Sequence, residues 1–234
     1  MSEQKNIALL YFSRSARLEG RRKNWASRRP ELNRAIASSL ILRSTRTVRA
    51  SGLPVFHYHE GNQKGQTFGE RMANAFQEVF ALGYEAVISV GNDSPELART
   101  NWQDITARLA EGECVIGPSL RGGAYLIGLT AAAFDPEALQ LLPWQTEHLQ
   151  GSLIRYCARR GAHPQVLTPL RDINTWSDLL ALVRDPDLGR RLRHIVRQLL
   201  NSSRQQTIEY DHFSPFPPIL RARTLRAPPC LRGQ

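Results

Sequence analysis

Residues 88–97 read ISVGNDSPEL. The run AVISV (86–90) is uninterrupted apolar sequence of strand length, and it carries the chain to Asp93, after which Ser94, Pro95 and Glu96 open the next element. A strand apolar on both faces belongs inside a sheet that helices cover on two sides. At this point Asp93 admits two readings. Asp or Ser ahead of Pro-Glu makes a good helix start, with Pro at the first helical position and Glu in the first turn. A carboxylate at the carboxyl end of a buried strand also lies where open α/β sheets bind ligands, and there it can hold Mg²⁺ or Mn²⁺ against a diphosphate.

Working outward, the same alternation repeats. IALLYFS (7–13) reads as a strand, followed by a basic loop, SRSARLEGRRKNW. Residues 31 to about 50 carry apolar residues at helical spacing and end at Gly52. LPVFHYH (53–59) is a second strand, and EGNQKGQTFG is a polar loop opening into a helix. In that helix Met72, Ala75, Phe76, Val79 and Phe80 share one face, and Gly83 stops it. A helix is predicted near 100–110, short strands at CVIG (114–117) and AYLIGL (124–129), a helix near 146–160, and a strand within PQVLTPL. DINTWSDLLALV reads as a turn feeding a helix. Strands alternating with helices predict an α/β domain on a mostly parallel sheet.

Size and composition agree. The chain has 234 residues, 41% hydrophobic and 8% aromatic, which suits one globular domain with an appended segment. No apolar run reaches the roughly 20 residues needed to span a bilayer. MSEQKNIALLYFS lacks the features of a signal peptide, so a cytoplasmic protein is expected. Cys114, Cys157 and Cys230 are far apart, and neither a zinc knuckle nor a disulfide framework is indicated.

The net charge of +10 is concentrated at the two ends. Residues 14–49 hold eleven Lys or Arg against Glu19 and Glu31. Aromatics interleaved with these basic residues, or a recognisable module, would point to nucleic acid; neither is present, so that partner is disfavoured. LGRRLRHIVRQLL (188–200) is a basic amphipathic helix candidate, and beyond residue 201 the chain turns Pro- and Arg-rich. The expected division is therefore a domain over 1–186 and a basic extension over 187–234.

Other stretches can carry chemistry, each with a plainer structural reading beside it. QKGQTFGERM (63–72) puts glycines ahead of a helix start, where backbone N–H groups take up phosphate or simply form a turn. PSLRGGAYLIG (118–128) pairs Gly122 with Gly123, for close approach to a ligand or for a tight turn. Arg14, Arg21, Arg22 and Lys23 follow the first strand at the same sheet edge, as phosphate ligands or as a solvated surface. His57 and His59 alternate on one strand face, but two ligands alone make no metal site.

Taken together, FGERMANAF, VGNDSPEL, IGPSLRGGAYLIGL, LPWQT and DINTWSDL resemble, in order and spacing, the domain of unknown function 2064 proteins. These are also called radical-SAM/selenodomain-associated transferases, and they are grouped with nucleotide-diphospho-sugar transferases of GT-A fold. The likeness covers residues 5–184 and is strongest over 63–129. It implies a GT-A-like three-layer α/β sandwich with a mostly parallel central sheet. The implied activity is a glycosyltransferase that moves a sugar from a nucleotide sugar to a small acceptor, assisted by Mg²⁺ or Mn²⁺. The alternatives are nucleotidyl transfer on the same fold, or a catalytically decayed nucleotide-sugar-binding protein.

The resemblance also implies roles for single residues. Asp93 matches the acid of a G-x-D-x-P element that holds metal and diphosphate; Ser94 beside it is expected at the substrate and is also placed to cap the next helix. Gly69, Glu70 and Arg71 match a segment framing the nucleotide or acceptor, Gly122 and Gly123 a D-G-G element, and Asp172 the first acid of a late D-x-D-T element. Lys23 corresponds to a basic residue after the first strand; Arg14, from the reading of the basic loop itself, is expected with it at the phosphates, and Glu70 or Asp172 is the expected base on the acceptor. Two positions depart from the pattern: Arg121 replaces the D-G-G acid and Asn174 the second late acid. Arg121 is expected either to impair turnover or to stabilise the leaving diphosphate itself.

Overall fold

The computed structural model describes residues 6–26, 29–183, 190 and 192–198. The described residues up to Arg197 form one compact unit. The expected boundary after residue 186 and the Pro- and Arg-rich segment with Cys230 lie outside the described residues. Within the predicted basic helix, residues 192–198 are helical, and Leu192, Ile195 and Val196 are buried at the i, i+3, i+4 spacing of an amphipathic face.

Six strands form one sheet: β1 (Ile7–Phe12), β2 (Val55–Tyr58), β3 (Ala86–Val90), β4 (Cys114–Pro118), β5 (Ala124–Thr130) and β6 (Pro164–Val166), in the order β2-β1-β3-β5-β4-β6. β1 runs parallel to β2 and β3, and β4 parallel to β6; only β5 is reversed, antiparallel to both β3 and β4. The reversal follows from length. The PSLRGG segment between β4 and β5 is too short for a crossover, so the two strands join as a hairpin. Gly122, at φ 80°, makes that turn, with its N–H donating to the Ser119 carbonyl at 3.1 Å.

Helices cover both faces. β1 and β3, buried at every position, present Ala8, Leu10, Phe12 and Val87 to α3 (Phe68–Phe80) and α6 (Leu149–Ala158). Their other face, with Ile7, Leu9, Tyr11 and Ile88, packs on Val48 of α2 (Pro30–Arg49) and on Ile105 and Leu109 of α4 (Trp102–Ala110). The result is a three-layer α/β sandwich. It also contains α5 (Pro136–Gln140), which sequence periodicity had not suggested, and α7 (Trp176–Val183) at the end of DINTWSDLLALV.

Two local expectations are corrected. The basic segment after β1 is no loop: Ala16–Arg22 forms α1, with Ser15 as N-cap and Glu19 buried among the arginines. Pro95–Arg99, after Asp93, is a 3₁₀ turn rather than an α-helix. No helix among the described residues is long and apolar enough to cross a membrane.

Candidate functional site

β2 and β3 flank β1 on opposite sides, so the chain leaves β1 in two directions and opens a crevice outside the carboxyl ends of β1 and β3. The residues that follow those strands line it: Ser13 and Arg14 after β1, and Gly91, Asn92, Asp93 and Ser94 after β3. Asp172 completes the polar rim. The cavity measures about 240 Å³, and its inner wall is aromatic and apolar. Phe12 and Phe68 meet edge to face at 5.5 Å, and Phe68 and Trp144 lie tilted at 5.4 Å, forming a continuous strip.

At the rim five ionisable groups gather. The Lys23 ammonium lies 2.9 Å from Glu19 and 2.5 Å from Asp93, and its side chain is only 13% exposed. Burial alone would lower the Lys23 pKa, but the charges of Asp93 and Glu19 hold it above its ordinary value. Arg14 approaches Glu19 from the cleft side at 3.7 Å. Asp172 accepts from the Ser94 hydroxyl at 2.8 Å. Burial pushes its carboxyl above the usual range, against hydrogen bonds from Ser119 and Ser94. The Ile173 N–H donates to the Asp93 carbonyl at 2.8 Å, which pins the two acidic segments together. Trp25, fully buried, ties the same junction: its indole N–H donates to the Ile173 carbonyl at 3.2 Å and its ring lies 5.7 Å from the Lys23 ammonium.

This geometry removes the capping reading of Asp93. Among the described residues its side chain caps nothing; it pairs with Lys23 at the edge of the crevice and is 41% exposed. Ser94 stands at the N-cap position without a side-chain cap bond, because its hydroxyl goes to Asp172. The expectation that Ser94 caps is thereby corrected.

Of the other expected site residues, Arg14, Lys23, Asp172 and Gly123 come together with Asp93 and Ser94, while five do not. Glu70 closes a capping box: its carboxylate accepts from the N–H groups of Gln66 at 2.6 Å and Thr67 at 3.3 Å, and it is not part of the crevice lining. Arg71 donates to the Gln66 carbonyl at 2.9 Å and braces the same loop. Gly69 is a packing glycine, where a Cβ would lie 2.1 Å from the Gln140 carbonyl and 2.7 Å from Trp144. Gly122 turns the hairpin against the Glu147 backbone, which a Cβ would meet at 2.0 Å. Arg121 points to α7 rather than to the crevice, donating to both oxygens of Asp178 at 2.8 and 2.9 Å. It stands where the resemblance implied an acid, without bringing its cation to the crevice.

Gly69→Ala is therefore expected to act on folding: overpacking against backbone should cost about 3 kcal/mol, or roughly 6–12 °C in melting temperature for a domain this size. A thermal melt showing no loss would contradict this packing role.

Several lining residues escaped the sequence reading. Glu19 was counted as one acid in a basic stretch. Phe12 was read only as part of a strand, and Phe68 and Trp144 only as members of longer motifs. Asn92, between Gly91 and Asp93, is 6% exposed, and its amide nitrogen has no hydrogen-bond partner among the described residues although the residue lines the crevice. Gln145, also in the lining, has φ 63°, an uncommon conformation for a side-chain-bearing residue. The His57–His59 pair is drawn elsewhere: the His57 ring shares a 2.8 Å hydrogen bond with the Ser13 hydroxyl, and His59 accepts from the Gly61 N–H.

Among the described residues no group of three or more His, Cys, Asp or Glu is placed to enclose a metal ion. Mg²⁺ and Mn²⁺ do not need such a cage, because one or two carboxylates with substrate phosphates suffice. Asp93, open to the crevice, with Asp172 near it, fits that requirement.

Comparison with known proteins agrees with this architecture. A family model described as "Uncharacterized protein conserved in bacteria (DUF2064)" matches residues 36–146. A crystal structure of a candidate nucleotide-diphospho-sugar transferase from Desulfovibrio desulfuricans G20 superposes with a TM-score of 0.70 at 18% identity, covering 88% of this chain and 98% of that one. At such identity the likeness speaks for the fold. A glycosyltransferase involved in glycosylation of the major capsid of PBCV-1 (11% identity, 69% and 82% covered, TM-score 0.44) and Rv0371c of Mycobacterium tuberculosis H37Rv (13%, 75% and 97%, 0.43) are looser still and carry no argument. No curated protein matches the sequence.

Proposed function

From the match of residues 36–146 to the DUF2064 family model, we propose that the protein transfers a sugar from a nucleoside-diphosphate sugar to a small acceptor, with Mg²⁺ or Mn²⁺ bound at Asp93. The observation that carries the proposal is the placement of Asp93. It stands at the carboxyl end of β3, in the crevice beside β1, with the Lys23 ammonium and the Asp172 carboxyl adjacent.

The protein's own groups divide the work. Lys23 and Arg14 supply cationic donors for phosphate oxygens, Lys23 as a point charge and Arg14 as a planar fork. A bound divalent ion would add charge neutralisation for the departing diphosphate. Asp172 is the carboxylate left to accept the acceptor's proton, since Glu70 is committed to its helix cap. The aromatic strip suits the C–H face of one ring and excludes water beside it. At about 240 Å³ the cavity is slightly smaller than the roughly 300–1,000 Å³ of complete ligand sites, so a nucleotide sugar would place one ring inside and its remainder along the rim.

A doubly labelled donor tests the reaction. Incubation with nucleotide sugars labelled in the sugar and in the base should place the sugar label alone on the acceptor product. Base label on product with release of pyrophosphate would instead assign nucleotidyl transfer. Binding without either product would assign a binding protein.

A further inference from the structure

Lys23 is not a loose surface lysine. It follows the last turn of α1, its backbone N–H donates to the Glu19 carbonyl at 2.9 Å, and its ammonium is held between Glu19 and Asp93 beside the Trp25 ring. Its partner oxygen on Asp93 belongs to the carboxylate best placed for a divalent ion. A bare cation arriving there meets a positive charge already in contact with that oxygen, in a partly desolvated position where like charges repel more strongly than in water.

A diphosphate alters this balance. It brings several negative charges and acceptor oxygens, enough to take the three N–H donors of the ammonium while the carboxylate turns to the metal. Glu19 holds Lys23 at the crevice during such an exchange, so the ammonium can change partners without leaving. We infer that Lys23 makes this site selective for a divalent ion carried by a diphosphate over the bare ion, by occupying Asp93 until phosphate oxygens accept its charge. The diphosphate half of this inference rests on the proposed function; the bare-ion half rests on the Glu19–Lys23–Asp93 cluster alone.

The test uses Mn²⁺ alone, with free Mn²⁺ counted by electron paramagnetic resonance during titration of the full-length protein. Wild type should bind weakly. Lys23→Met should bind at least about tenfold more tightly, equivalent to about 1.4 kcal/mol. Lys23→Arg, which keeps the charge, should stay close to wild type, and Lys23→Met with Asp93→Asn should lose the gain. Melting curves verify that each variant is folded, and Lys23→Gln takes the place of Lys23→Met if the latter is not. A charge-removing variant that binds Mn²⁺ no more tightly than wild type overturns the inference, as does a gain that survives Asp93→Asn. The two proposals fail separately. Tighter Mn²⁺ binding in a protein that binds no nucleotide sugar sinks the transferase reading only, and nucleotide-sugar binding without that gain sinks the Lys23 inference only.

Discussion

Asp93→Ala should erase the stabilisation that a nucleoside diphosphate with Mn²⁺ confers on the wild-type protein. A ligand present at a hundredfold over its dissociation constant stabilises the folded state by about 2.7 kcal/mol. For a domain of this size that amounts to roughly 5–10 °C in melting temperature. The substitution also frees Lys23 from one partner. Since the Asp93 side chain is 41% exposed and Glu19 still holds the ammonium, the unliganded protein should lose only about 0.5–1 kcal/mol. Ligand-dependent and ligand-independent effects are thus separable in one set of melts across UDP, GDP, CDP and their sugar conjugates. A variant that keeps the metal-dependent shift would remove Asp93 from the site.

The largest effect on folding itself is expected at Asp178, which the sequence reading had passed over. This carboxylate is 2% exposed and accepts from Asn174 N–H at 3.1 Å, Thr175 N–H and the Thr175 hydroxyl at 2.8 Å each, and from Arg121. It closes the first turn of α7 from inside while joining that helix to the β4–β5 hairpin. Asp178→Ala leaves several donors without an acceptor and should cost about 3–5 kcal/mol, read as a lowered urea midpoint at unchanged slope. Burial alone would raise the Asp178 carboxyl, but the Thr175 hydroxyl and N–H, Arg121 and Asn174 N–H hold it below its ordinary value. Its folded pKa thus lies below the unfolded value of about 3.9. Its contribution is fully present above that value and is lost as pH falls through the folded pKa. The stability gap between wild type and Asp178→Asn should therefore narrow below about pH 4. A gap that widened with acid would contradict the sign.

These two residues also mark what could be read in the primary structure. Asp93 was visible because a continuous apolar run ends beside it, and an apolar run of that length has few alternatives to a buried strand. β1, β3 and α3 were legible for the same reason, since periodicity is local information. α1 was hidden because its many basic residues made the segment read as a solvated loop, and the burial of Glu19 that anchors it exists only in the folded chain. The partnership of Arg121 with Asp178 spans 57 positions, so the sequence could suggest Arg121 at the phosphates but could not reveal the carboxylate that claims it. The strip of Phe12, Phe68 and Trp144 joins three distant segments in the same way. Glu70 misled for the opposite reason: Thr67 and Glu70 have the spacing of a capping box, a local signal that outranked the catalytic role inferred from family likeness.

The most direct measurement is anomalous scattering from crystals soaked with Mn²⁺ and whichever nucleoside diphosphate gives the largest thermal shift. The account predicts a manganese peak about 2.0–2.6 Å from an Asp93 carboxylate oxygen, the diphosphate bridging it, and the Lys23 ammonium moved onto phosphate oxygens. A diphosphate bound away from the β1–β3 crevice, or metal elsewhere with Lys23 still paired to Asp93, would contradict it.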